Sequence, residues 1–128
     1  MRIRIIILFL IVELFFSCHG DYHELSGKYV YCEYTIAKSP SNSRWTAEGK
    51  YIPDKVVINR MVTNYNHDND FIIAHQVTNS HHGEVHSYWI IRISDDMIWG
   101  PLKKDSFDRK CKEQNVKIYL DPKYESDL

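Results

Sequence analysis

The chain changes its hydrophobic rhythm three times. Residues 5–12 form an unbroken apolar run, preceded by Arg2 and Arg4 and continued by residues 14–16 beyond Glu13. A spanning helix needs about 20 apolar residues, and this run is shorter and interrupted by a carboxylate. A basic start, a short apolar run and a small residue, Ser17, predict a signal peptide over residues 1–17. Beyond it the period falls to two. Alternation in KYVYCEYTI predicts a strand over 28–37, with Val30, Cys32, Tyr34 and Ile36 on its core face. Further strands are expected over 45–52, 54–65, 71–77 and 86–93, separated by KSPSNSR, Pro53, NHDND and TNSHHGEV. After Pro101 the period lengthens to that of a helix, expected over about 103–114, with Phe107 and Cys111 on one stripe. VKIYL at 116–120 then forms a last short strand or docks across the helix.

About five antiparallel strands followed by one helix predict an α+β fold, a small sheet with the C-terminal helix packed on one face. The expected organisation is a signal peptide at 1–17, a tether at 18–27, one globular domain at 28–121 and a loose tail at 122–128. Length, 128 residues and 15.2 kDa, fits a single modest core.

Charge narrows the partners. The formal charge is -1, with 16 basic and 17 acidic residues, and losing Arg2, Arg4 and Glu13 with the leader moves it to -2. Such balance offers no footprint for nucleic acid. Aromatics make up 13% of the chain and nine are tyrosines, which suits half-buried strands.

Three cysteines carry the next decision. Residues 14–18, Leu-Phe-Phe-Ser-Cys, resemble a bacterial lipobox, in which the leader is cut just before a cysteine whose sulfur carries a diacylglyceryl group. Phe15 stands where leucine is usual. The resemblance implies lipid attachment at Cys18 and a membrane anchor. The alternative is cleavage after Gly20, with Cys18 and Gly20 as the small residues selected, giving a soluble secreted domain. Either route leaves Cys32 and Cys111, both on expected core-facing positions. A disulfide between them would close 79 residues and contribute about 4–5 kcal/mol. The alternative is two buried free thiols.

Candidate chemistry is sparse. His81, His82, Glu84 and His86 lie close in sequence with His75 on the preceding strand, and imidazole suits zinc or copper. A hairpin would bring His75 and His86 near each other, making His75, His82 and His86 the candidate metal ligands. NHDND reads as a solvated hairpin turn, because it lacks the glycine and closing glutamate of a calcium loop. Asp95 and Asp96 read as a turn. No G-x-S-x-G elbow is present, and no cofactor is predicted. Tyr29, Tyr31, Trp45, Tyr51 and Trp99 could form an aromatic binding face for a protein or glycan; the competing use of such rings is packing.

Residues 71–74, residues 88–91, Gly100-Pro101-Leu102 and residues 107–116 resemble a family of small bacterial lipoproteins of unknown function. Its members carry a lipobox leader, a "fIIa" strand, a "yfIId" strand, a glycine-proline-leucine turn and a helix built on "eeF..kr.elgv". Two positions depart from that pattern. Arg92 stands where an acidic residue is common, and Lys103 where a capping Ser or Thr is common, so capping would fall to Asp105 or a later start. The resemblance implies the cell envelope as address and no activity. The expected function is a lipid-anchored, non-catalytic envelope module that binds a protein or glycan or plays a structural part. The alternatives are a secreted metal-dependent hydrolase using the histidines and an immunity-type protein that blocks a toxin.

Overall fold

The computed structural model describes residues 22–38 and 55–122. These form two four-stranded antiparallel sheets and one helix. The first sheet contains β1 (Tyr22–Glu24), β2 (Tyr29–Cys32), β3 (Thr35–Lys38) and β4 (Lys55–Ile58), in that order. The second contains β5 (Val62–His67), β6 (Phe71–Ser80), β7 (Gly83–Arg92) and β8 (Met97–Leu102), also in sequence order. Helix α1 (Lys104–Glu113) follows. The α+β expectation holds at this level, but eight strands in two sheets replace the expected five or so in one.

Two of the extra strands come from breaks that the alternation concealed. β1 lies in the expected tether, and β8 follows the Asp95-Asp96 turn where no strand was expected. The expected strand at 28–37 is a tight hairpin. Glu33 and Tyr34 both take positive φ, at 49° and 62°, and Cys32 pairs with Thr35. Two consecutive left-handed residues make the turn whose twist suits a two-residue hairpin. Non-glycine residues seldom supply it. The turn also changes which side chains face the main core. Tyr29, Tyr31 and Ile36 point there, Val30 packs with Ala37 in a separate small cluster, and Tyr34 is exposed.

The expected strand at 54–65 is likewise two strands. It breaks at residues 59–61, where the chain leaves the first sheet and enters the second. Gln76 holds this crossing: its amide nitrogen donates to the Asn59 carbonyl at 2.9 Å and to that of Arg60 at 3.3 Å. Its oxygen accepts from Trp89 Nε1 at 3.0 Å, so a buried amide is well supplied with partners. Residues 22–24, expected in a tether, form β1 against β2, and Leu25 behind them is buried. The expected strand at 45–52 lies outside the described residues.

The second sheet is buried on both faces. Along β6, Ile72 and Ala74 join Tyr29, Tyr31, Ile36 and Ile58 of the first sheet. Phe71 and Ile73 join Tyr88, Ile90, Phe107 and Leu120 under the helix. Layers therefore run first sheet, second sheet, helix. A register shift in β5 between Val62 and Asn64 sends Val62 to the first core and Asn64 to the helix side. Asn64 and Asn66 then fasten the segment after the helix. Asn64 Nδ2 donates to the Asp121 carbonyl at 3.0 Å, Asn66 Nδ2 donates to that of Tyr119 at 2.9 Å, and the Asp121 amide donates back to Asn64 Oδ1 at 3.4 Å. VKIYL thus docks without becoming a strand, with Val116, Ile118 and Leu120 turned to the helix-side core.

Gly100 in β8 lies against the Trp89 indole. A Cβ there would stand 2.3 Å from Trp89 Cε3, and φ is +154°. Both the contact and the backbone exclude a side chain. Gly100→Ala is expected to lower the free energy of unfolding by about 2–3 kcal/mol. Urea denaturation tests this, and a midpoint and slope equal to those of the parent would contradict it.

Candidate functional site

The β6–β7 hairpin brings the histidines into view. Ten residues per strand are joined by a two-residue turn, His81-His82, so the expected loop TNSHHGEV is mostly strand. Register sets Val77 opposite His86 and His75 opposite Tyr88, which makes His75 and His86 diagonal neighbours. His75 is 1% exposed, and its Nε2 lies 2.9 Å from His86 Nδ1, one ring donating and the other accepting. Tyr88 stacks on His75 at 4.5 Å with the rings nearly parallel, and Phe107 follows at 5.1 Å. On the other side, the Glu84 carboxylate lies 3.5 Å from His86 Nε2. The result is a row of carboxylate, imidazole, imidazole, phenol and phenyl leading from the hairpin surface to the helix.

This arrangement corrects the three-histidine metal centre. His82 sits at the hairpin tip, where its backbone amide donates to Ser80 Oγ at 3.2 Å, and it is exposed. The facing nitrogens of His75 and His86 are engaged with each other. Among the described residues, no group of three or more His, Cys, Asp or Glu side chains could hold a metal ion.

The aromatic binding face is also not assembled. Tyr29 and Tyr31 are 2% and 8% exposed and belong to the core between the sheets, where Tyr31 stacks on Tyr65 at 4.3 Å. Trp99 is half-buried, with the Arg92 guanidinium 5.1 Å and the Lys110 ammonium 5.5 Å from its ring. Trp45 and Tyr51 lie outside the described residues. Alternation assigns a residue to a face but cannot tell which face meets a second sheet.

Cys111 is a free, half-buried thiol, and burial followed by the nearby Asp108 charge pushes its pKa up to about 11. Cys32 is disulfide-bonded. The expected Cys32–Cys111 bridge is therefore not formed. Cys32 belongs to the first sheet and Cys111 to the helix on the far face of the second, so a whole layer separates them. A disulfide requires Cα atoms within about 7 Å, whereas packed layers stand about 10 Å apart. Cys18 lies outside the described residues.

Acidic side chains of the β7–β8 turn act as ties. Asp96 accepts from the Tyr29 hydroxyl at 2.7 Å and from the Lys38 ammonium, joining this turn to β2 and β3. Those bonds, Lys38 first, hold its carboxyl below the usual carboxylate range. Burial and the same contact push the Tyr29 hydroxyl upward. Arg92 donates to both oxygens of Asp95, at 2.9 and 2.7 Å, and that pairing lowers Asp95 to about 2. Arg92 also donates to Gln114 at 2.8 Å, which ties β7 to the end of the helix. Asp68 Oδ1 accepts the amides of Asp70 and Phe71, forming the turn expected of NHDND. Helix α1 begins after Lys103 with no side-chain cap, and Asp105 in its first turn complements the helix dipole.

The sequence reading did not anticipate a groove between α1 and residues 116–122. This half-open groove has a volume of about 470 Å³ above Ile73, with Phe107 and Cys111 on one wall and Val116, Ile118 and Leu120 on the other. Lys104, Asp108 and Lys112 line it from the helix. Alternating apolar residues in VKIYL beside the helical pair 107 and 111 carried the only sequence signal.

Residues 30–125 match the family model described as protein of unknown function (DUF3997), and the chain belongs to that family. No curated protein and no solved structure matches the chain.

Asp95 and Asp96 are depressed relative to the unfolded value of about 3.9, so they stabilise the fold above that pH. Their contribution is lost as the pH falls through the folded values, about 2 for Asp95. The Asp95→Asn, Asp96→Asn double variant is expected to lose stability less steeply than the parent between about pH 4 and pH 2. Urea midpoints across that window test this; parallel curves for the two proteins would contradict it.

Proposed function

We propose that this is an exported domain of the cell envelope acting as a non-catalytic binding or structural module. The observation that carries this reading is the disulfide at Cys32. Disulfides persist in oxidising compartments outside the cytosol, and the basic, apolar start of the chain supplies a route there. The titratable groups support a non-catalytic role. His75 is engaged with His86, Asp95 with Arg92, and Asp96 with Tyr29 and Lys38, and each pairing joins structural elements. With a near-balanced charge, the fitting partner class is an envelope protein or glycan.

Attachment is proposed through acyl chains on Cys18, following from residues 14–18. The oxidised Cys32 favours a second form. The chain has three cysteines, and Cys111 is free, so Cys18 is the remaining sulfur within the chain that could bond Cys32. One sulfur cannot carry both a thioether and a disulfide. Lipidation and an internal bridge are therefore exclusive fates of Cys18.

Intact mass and thiol titration of the protein from membrane and soluble extracytoplasmic fractions test both statements. Export predicts a chain that has lost its leader, starting at Cys18 in the anchored form or at Asp21 after cleavage at Gly20. Acyl mass on Cys18 identifies the anchored form, and a single titratable thiol without acyl mass identifies the bridged form. An uncleaved chain in the cytosol with all three thiols reduced would contradict the export reading.

A further inference from the structure

The groove beside α1 is a half-open, mainly apolar slot with a charged rim. Its volume of about 470 Å³ lies within the range of small-molecule sites. Ile73, Phe107 and Leu120 are buried members of the helix-side core, so the floor and walls are rigid packing elements. Burial keeps the Cys111 thiol neutral at physiological pH, and it adds no charge to the wall.

Lys104, Asp108 and Lys112 repeat every four residues and therefore edge the groove along one stripe of the helix. Lys104 donates to Asp108 at 3.1 Å, which balances one positive charge with one negative. Among the described residues, Lys112, one turn further on, leaves the rim with an excess positive charge. An apolar slot ending at a cationic rim is complementary to an apolar chain ending in an anion.

We propose that this groove binds a small amphiphile with one anionic head group, its apolar tail over Ile73 and its head at Lys112. The proposal deepens the binding-module reading and rests on it only in supposing that the domain takes a ligand.

Cys111 on the groove wall supplies the readout. The probes are octanoate and 1-octanol, with iodoacetamide alkylation of Cys111 followed in the folded full-length chain and binding heat measured by calorimetry. Octanoate is expected to slow alkylation saturably, by about tenfold at high occupancy, and to bind more tightly than octanol. One screened charge contact is worth only a modest factor. Lys112→Glu, an exposed substitution, is accordingly expected to weaken octanoate about fivefold and to leave octanol unchanged.

Absence of protection by octanoate in a chain that still shows the export signature overturns the ligand and leaves the export reading standing. Equal affinity for octanoate and octanol overturns the anionic head. Protection of Cys111 in the ligand-free chain, lifted by deleting residues 123–128, overturns the proposal in favour of the chain's own tail as occupant.

Discussion

Everything in this fold depends on β6 being buried on both faces. Residues 71–76 are all buried, and they alternate between two different cores. Each fully buried large apolar side chain contributes about 1.5–3 kcal/mol. Ile72 and Ile73, at 0% and 1% exposure, therefore stabilise opposite layers through one short run of backbone. Neither the first sheet nor the helix closes its apolar face without this strand. That requirement explains the unbroken apolar character of FIIA, since a strand covered on both sides has no solvated face to make polar.

Polar contacts then fix how the layers sit. Gln76 points from β6 towards the first sheet and binds both the crossing at residues 59–61 and the Trp89 indole. Asp96 reaches from the β7–β8 turn to Tyr29 and Lys38 of the first sheet. On the opposite face, Asn64 and Asn66 pin residues 119–121 beside the helix. These bonds join distant parts of the chain, as expected if their role is to orient preformed layers. The groove is the gap left where the pinned segment and α1 diverge above Ile73. Gly100 of β8 belongs to the same logic, because the Trp89 indole occupies the space that a Cβ would need.

Much of this was legible in the sequence, and the failures have physical causes. The cores of β6 and β7 and the helix follow from their periods, whereas the β6–β7 hairpin runs three residues further along each strand than expected and β8 was not expected at all. The diagonal meeting of His75 and His86 follows from the hairpin alone. The Glu33-Tyr34 turn was hidden because its left-handed residues are neither glycine nor asparagine. Missing it reversed the faces of Tyr29, Tyr31, Val30 and Cys32. The crossing at 59–61 was hidden because β4 and β5 read as one apolar stretch, although they belong to different sheets. Pairing Cys32 with Cys111 failed for a related reason. Two core-facing positions need not face the same core, and here the whole second sheet lies between them.

The central claim is that one doubly buried strand makes the first sheet, second sheet and helix a single cooperative unit. Native-state amide hydrogen exchange along β6 tests it most directly. Amides of residues 72–75 are expected to exchange only through global unfolding, with the same free energy as the slowest amides of β2 and α1. Exchange of β2 and β3 at a much lower free energy, while β6 and α1 remain protected, would show that the first sheet opens independently and would contradict the account.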